Sequence, residues 1–138
     1  MAKHLKKKLA IIMRGVPGSG KSTLAKKLAG RFGVIHSTDN YFNERGIYNF
    51  DPIKLKEYHA QNLRAFRKSL KGGIPIVICD NTNIKKKEYE PYVQAAIENG
   101  YEVKIVNMPH PDPEVAAKRN IHKVPAESIQ KMIDNFEE

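Results

Sequence analysis

The chain has 138 residues, of which 41% are hydrophobic and 28% charged, and its formal net charge is +9. A chain of this size and composition is typical of one folded domain, and we place that domain over residues 1–138. The single cysteine, Cys79, excludes a disulfide framework within the chain, and no apolar run approaches the length of a membrane span. We therefore expect an intracellular, cytoplasmic protein.

The predicted elements alternate between strands and helices along the chain. Strands are predicted at 9–13, 34–37, 74–79 and 103–106, and helices at 23–31, 52–71, 86–99, 113–120 and from Pro125 onward. Residues 38–49 are predicted as a polar loop with interleaved aromatic residues. The inward face of the helix at 86–99 is assigned to Tyr89, Tyr92, Val93, Ala96 and Ile97. This alternation predicts an α/β fold with a three-layer α/β/α arrangement and a small parallel sheet. Together with the phosphate-binding loop GVPGSGKS at Gly15 to Ser22 and the basic stretch at 118–123, it indicates a P-loop kinase-like arrangement with a helical lid.

The segment from Gly15 to Ser22 reads GVPGSGKS and matches the phosphate-binding loop G-x-x-x-x-G-K-[ST] at every fixed position. It follows a predicted strand and precedes a predicted helix, which is the setting that the motif requires. Lys21 can reach the β- and γ-phosphates of ATP, and the Ser22 hydroxyl can ligate Mg²⁺. We therefore predict ATP and Mg²⁺ as ligands, bound by Gly15, Pro17, Gly18, Ser19, Gly20, Lys21, Ser22 and Thr23, with the metal at Ser22.

Polar side chains follow the second and third predicted strands, at the edge of a parallel sheet where ligands bind. Asp39 follows the second strand and is the candidate for the carboxylate that accepts an acceptor proton, although a turn aspartate is the alternative. The third strand ends in Asp80-Asn81-Thr82-Asn83. Asp80 can hold Mg²⁺ through water or orient the acceptor. Asn81 and Asn83 can bind phosphate or sugar, or they can cap a helix.

Two further groups are candidates for substrate contacts. The basic stretch at 118–123 includes Lys118 and Arg119, which can stabilise a transferring phosphoryl group from a lid or form a solvated helix face. His59 and Asn62 share a helix face and either contact the acceptor or form a surface pair.

The lysines cluster at Lys3, Lys6, Lys7, Lys8, Lys85, Lys86 and Lys87. They indicate either a nucleic-acid track or a solvated surface, and charge alone does not choose between these.

With these residues identified, the chain resembles the kinase domain of bacteriophage 5′-polynucleotide kinases. It is more similar still to the small kinase modules of animal ubiquitin-ligase-binding proteins. The similar stretches are GVPGSGKST, HSTDNYF, YNFDPIKLKEYHAQN, VICDNTNIK, EPYVQAAIENGYEV and AAKRNIHKVP. The resemblance implies that Asp39 is the general base, that Arg119 is a lid arginine and that Asp80 is the acidic residue after the third strand.

The sequence departs from the phage pattern at two places. Phe42 stands where the phage enzymes carry an arginine that holds the acceptor strand, and a second lid arginine is replaced near His122 and Lys123. Tyr41 and Phe42 are instead candidates to stack on a base. The phage enzymes also have a 3′-phosphatase domain, and we expect only the kinase half here.

The function predicted from the sequence is transfer of the ATP γ-phosphate to the 5′-hydroxyl of DNA or RNA. Catalysis is assigned to Asp39, Lys21 and Arg119, and acceptor binding to Tyr41, His59, Asp80, Asn81 and Asn83. The alternatives are a kinase for a small-molecule acceptor and a non-catalytic ATP- or RNA-binding module. Nucleic acid is the expected partner, and neither a membrane nor a protein partner is indicated.

Overall fold

A computed structural model describes residues 7–138, so the predictions for Lys3 and Lys6 lie outside the described residues. The strands are β1 (Leu9–Arg14), β2 (Gly33–His36), β3 (Asn43–Glu44), β4 (Ile47–Tyr48), β5 (Ile76–Asp80) and β6 (Glu102–Asn107). The helices are α1 (Lys21–Ala29), α2 (Leu55–Lys71), α3 (Lys86–Glu98), α4 (Pro113–Arg119) and α5 (Ala126–Asp134). No helix within residues 7–138 is long and apolar enough to cross a membrane.

Four parallel strands form the central sheet in the order β2-β5-β1-β6. Alternate residues of β1 point to opposite faces, as the pleat of a strand requires. Ala10 and Ile12 belong to the core beneath α2 and α3, whereas Ile11 and Met13 belong to the core beneath α1. The sheet is therefore covered by helices on both faces, and the predicted α/β fold is confirmed.

A third core joins the C-terminal helices to the phosphate-binding loop. It contains Val16 of the loop, Ile84, Ala116 of α4 and Ile129 of α5, all of them buried. The predicted lid is therefore packed against the loop in this structure.

The segment at 38–49, predicted as a loop, contains regular structure. Residues Thr38–Phe42 form a 3₁₀ turn, and β3 and β4 then pair as a short antiparallel hairpin. The two residues between them, Arg45 and Gly46, have φ angles of 51° and 80°. A two-residue hairpin turn needs such positive values, and arginine gives no sequence signal for them. The hairpin was therefore missed.

One residue of the predicted core of α3 is placed differently. Ile97 is 57% exposed, whereas Tyr89, Tyr92 and Ala96 are buried as expected, together with Ala95. The prediction for Ile97 is wrong because five residues of helix separate it from Tyr92, which rotates its side chain well away from the buried face.

Candidate active site

The phosphate-binding loop leaves β1 and runs into the first turn of α1. Gly18 and Gly20 have φ angles of 82° and 88°, which glycine adopts without strain, and Gly20 is the N-cap of α1. A Cβ on Gly15 would lie 2.7 Å from Ser19 Oγ. The Ser19 hydroxyl is itself buried and has no hydrogen-bond partner among residues 7–138. A loop without side chains at these glycines, and with the buried Ser19 hydroxyl free to donate, fits nucleotide phosphates. Pro17 lies within this loop, and Thr23 lies in α1.

Asp80 joins the loop to the neighbouring strand. It is the last residue of β5, opposite Met13 of β1, and its carboxylate accepts hydrogen bonds from Lys21 Nζ at 2.7 Å and Ser22 Oγ at 3.0 Å. The Lys21 and Asp80 side chains are only 11% and 5% exposed. A hydroxyl and a carboxylate are hard oxygen ligands suited to Mg²⁺, which is usually held by few protein groups together with substrate phosphates. Asp80, predicted as an acceptor contact, thus lies on the nucleotide side.

Asp39 lies in the 3₁₀ turn directly after β2, and its side chain is 45% exposed. The Tyr48 hydroxyl donates to Asp39 Oδ1 at 3.4 Å, and His122 Nε2 lies 3.6 Å from Asp39 Oδ2. The rings of Tyr48 and His122 pack together with their centroids 4.0 Å apart. Burial, followed by the charge of Asp39, raises the pKa of Tyr48 to about 12, so the hydroxyl remains a donor at neutral pH.

The turn that carries Asp39 is tied to two of the predicted acceptor contacts. The Thr38 backbone N–H donates to Asn81 Oδ1 at 2.9 Å, and the Thr38 hydroxyl lies 2.9 Å from His59 Nδ1. His59 and Asn81 also line a cavity of about 290 Å³ between α2 and α3. These two residues are therefore both supports of the Asp39 turn and candidate contacts for an acceptor.

Asn83, Phe42 and Tyr41, which were predicted to contact the acceptor or to stack on a base, differ in how far they are buried. Asn83 is 2% exposed and its amide donates to the Met13 carbonyl at 2.8 Å, a position that favours a structural role. Phe42 is 2% exposed and packs edge-on against Tyr58, so it offers no surface for a base, and that prediction is wrong. The cause is the 3₁₀ turn, which directs Phe42 inward. Tyr41 remains half-buried, stacked on Tyr58.

The lid helix α4 places a basic side chain beside the phosphate loop. Arg119 Nη1 lies 3.5 Å from the Gly18 carbonyl oxygen, and Arg119 and Lys118 are both exposed. Asn120 then shapes the loop that follows. Its amide donates to the carbonyls of Ala116, Ala117 and Val124, and its oxygen accepts from the Val124 N–H. The lid loop is thus built around one asparagine.

Sequence reasoning missed Tyr48 and the structural importance of Arg14. Arg14 ends β1 and is 2% exposed, with its guanidinium 4.7 Å from the Tyr89 ring centroid and 4.2 Å from that of Phe136. It also donates to the backbone carbonyls of Asn83 and Ile84. The sequence signal for Arg14 is a single charged residue at the end of an apolar strand. For Tyr48 the sequence offers no signal of a contact with Asp39 beyond its place among aromatic residues.

This fold and this site define a P-loop nucleotide-binding protein of the kinase type. The chain belongs to the AAA domain family, whose model matches residues 11–138. It is 38% identical over 135 residues to human NEDD4-binding protein 2, covering 92% of this chain and 8% of that protein. It is 31% identical over 156 residues to human YLP motif-containing protein 1, covering 94% of this chain and 7% of that protein. The chain therefore spans less than a tenth of these two relatives.

Solved structures show the same fold. A chain of the Pnkp1/Rnl/Hen1 complex superposes with a TM-score of 0.66 at 20% identity, over 87% of this chain and 42% of that one. A gluconokinase from Sinorhizobium meliloti superposes with a TM-score of 0.58 at 19% identity, over 97% of this chain and 78% of that one. The family and fold implied by the sequence resemblance are confirmed.

Proposed function

We propose that this domain is an ATP-dependent phosphotransferase that moves the γ-phosphate to the 5′-hydroxyl of DNA or RNA. The observation that carries the proposal is the pair of carboxylates at the ends of two adjacent strands. Asp80 on β5 is bonded to Lys21 and Ser22 of the phosphate loop, whereas Asp39 after β2 is half exposed and bonded to neither. One carboxylate is thereby suited to the nucleotide and its metal, and the other to an acceptor.

In the proposed reaction, Asp39 accepts the proton of the acceptor hydroxyl. The hydroxyl oxygen forms a bond to the γ-phosphorus while the bond from that phosphorus to the β–γ bridging oxygen breaks, and ADP leaves. ATP supplies the phosphoryl group, and its Mg²⁺ would be held by Ser22 and Asp80. Lys21 and Arg119 would stabilise the charge that develops on the phosphoryl oxygens, with Lys118 as an additional cation.

A nucleic-acid acceptor is favoured over a metabolite by charge and by similarity. The net charge of +9 suits a polyanionic substrate, and one structural neighbour is a component of an RNA repair complex. The metabolite alternative is supported by the gluconokinase likeness and by the cavity beside His59 and Asn81, whose volume suits a small acceptor. A non-catalytic role is disfavoured because Lys21, Ser22 and Asp39 are all present.

The test uses γ-labelled ATP, Mg²⁺ and matched 5′-hydroxyl DNA and RNA oligonucleotides, with Asp39→Asn as the control variant. We expect label on an oligonucleotide with the wild-type domain and a loss of about 100-fold or more with the variant. Label on gluconate or a nucleoside instead, with an acceptor KM independent of salt, would support the small-molecule alternative. ATP binding without transfer to any acceptor would support the binding module.

The single domain over 1–138 and the cytoplasmic location stay predictions.

A further inference from the structure

The Asp39 carboxylate is approached on both oxygens by groups from two separate parts of the chain. Tyr48 comes from the hairpin and reaches Oδ1, whereas His122 comes from the loop after α4 and reaches Oδ2. Each carboxylate oxygen has two lone pairs, so one remains available on each for an acceptor hydroxyl. The two contacts therefore restrict the rotation of the carboxylate without blocking it.

His122 faces Asp39 through Nε2, at a distance of 3.6 Å that brings the ring edge beside the carboxylate without a direct hydrogen bond. Its other ring nitrogen, Nδ1, is buried and has no hydrogen-bond partner within residues 7–138. The ring is held against Tyr48, with an angle of 38° between the ring planes. An orphaned buried nitrogen carries a free-energy cost, which indicates that the ring is placed for its contact with Asp39.

The supports of both rings are well defined. Asn120 bonds to both sides of the loop that presents His122, and Lys123 adopts a φ of 58° to close it. On the other side, the Asn49 N–H donates to the Phe42 carbonyl at 2.9 Å and fixes the end of the hairpin to the turn that carries Asp39. Tyr48 in β4 and His122 in the loop after α4 are thus each presented by a segment that hydrogen bonds hold to its surroundings.

We propose that Tyr48 and His122 are positioning residues that orient the Asp39 carboxylate toward the acceptor hydroxyl. The inference rests on the proposed phosphotransfer function. It also links the lid to the base, because His122 reaches Asp39 only while the loop after α4 is docked. Neither residue is expected to contact the nucleotide.

Two variants, Tyr48→Phe and His122→Phe, each remove one polar group that faces the Asp39 carboxylate. We expect each to lower kcat for the transferred phosphate about 10-fold, with the KM for ATP unchanged within about twofold. In an Asp39→Asn background neither should cause a further loss, because the group they position no longer acts as a base. Matched controls are Tyr89→Phe, at a ring that packs on Arg14, and His110→Phe, at a ring that packs on Phe136, and both should retain wild-type kcat.

An equal loss of activity in the Asp39→Asn background, or a loss confined to the KM for ATP, would overturn the positioning role. A second measurement does not depend on activity. The ¹⁵N NMR signals of the His122 ring should shift in Asp39→Ala if the contact exists in solution, and unchanged signals would also overturn it. If the wild-type domain transfers phosphate to no acceptor, the proposed function fails, while the NMR result still decides the contact.

Discussion

Gly18 of the phosphate loop lies directly against Ala116 of α4. A Cβ on Gly18 would come within 2.5 Å of the Ala116 carbonyl oxygen and 2.8 Å of its Cα. The backbone of the loop and the backbone of the lid helix are therefore in contact with no side chain between them. This close approach brings Arg119, one turn of helix further on, to the Gly18 carbonyl.

Gly18→Ala should separate α4 from the phosphate loop. Because backbone atoms cannot move aside as a side chain does, we expect the affinity for ATP to fall about 10-fold or more, measured by calorimetry. Gly30→Ala is the matched control: Gly30 also has a positive φ, 56°, but nothing lies within 4 Å of its added Cβ. The control reports backbone strain alone. Equal ATP affinities in the two variants would contradict the role assigned to the contact.

Asp80→Asn should act on the metal and the nucleotide rather than on the acceptor. The amide replaces a charged acceptor of two hydrogen bonds and leaves the nearly buried Lys21 without its partner charge. We expect a higher Mg²⁺ concentration for half-maximal activity and a free energy of unfolding lower by about 1–3 kcal/mol, measured by urea denaturation.

Asp39→Asn is the comparison for that variant. It should lower transfer about 100-fold or more while leaving the Mg²⁺ dependence of the remaining activity unchanged, because Asp39 has no bond to the phosphate loop. If both variants changed the Mg²⁺ dependence alike, the division of labour between the two carboxylates would be incorrect.

Phe136→Ala should destabilise the fold through Arg14. The Arg14 guanidinium packs against two aromatic rings, and removing the Phe136 ring exposes a buried charge and deletes apolar contact. We expect the free energy of unfolding to fall by about 2–4 kcal/mol. Phe50→Ala, at a ring that is 48% exposed, should cost less than half as much. Similar losses at the two positions would argue against the stacking of Arg14.

Stability should fall as the pH drops below neutrality, in part through His36. Burial lowers the pKa of His36 from its ordinary value of 6.5, so between the two pKa values the unfolded chain binds more protons than the folded one. The contribution of the neutral His36 to the free energy of unfolding is therefore fully present above pH 6.5. It is lost as the pH falls toward the pKa of His36 in the folded protein. His36→Gln should flatten the dependence of the unfolding free energy between pH 7.5 and 5. A remaining slope is expected from His59, whose pKa burial also lowers.

The local signals in the sequence predict most of the fold. The phosphate loop, the apolar strands and the order of helices needed only short-range patterns. The contacts of Asp39 could not be predicted in this way. Tyr48 reaches it through a hairpin whose turn contains Arg45, and His122 reaches it from a distant loop. Both depend on tertiary packing rather than on local propensity.

The order of the sheet has a consequence for how the chain folds. None of its pairings joins strands that are consecutive along the chain: β1 pairs with β5 and β6, and β2 pairs with β5. Neither N-terminal strand therefore has a neighbour in the sheet before Ile76–Asp80 has left the ribosome. Non-local pairing of this kind makes folding slow and cooperative. The phosphate loop is synthesised before β5, so its hydrogen bond from Lys21 to Asp80 forms only after that later strand has joined the sheet.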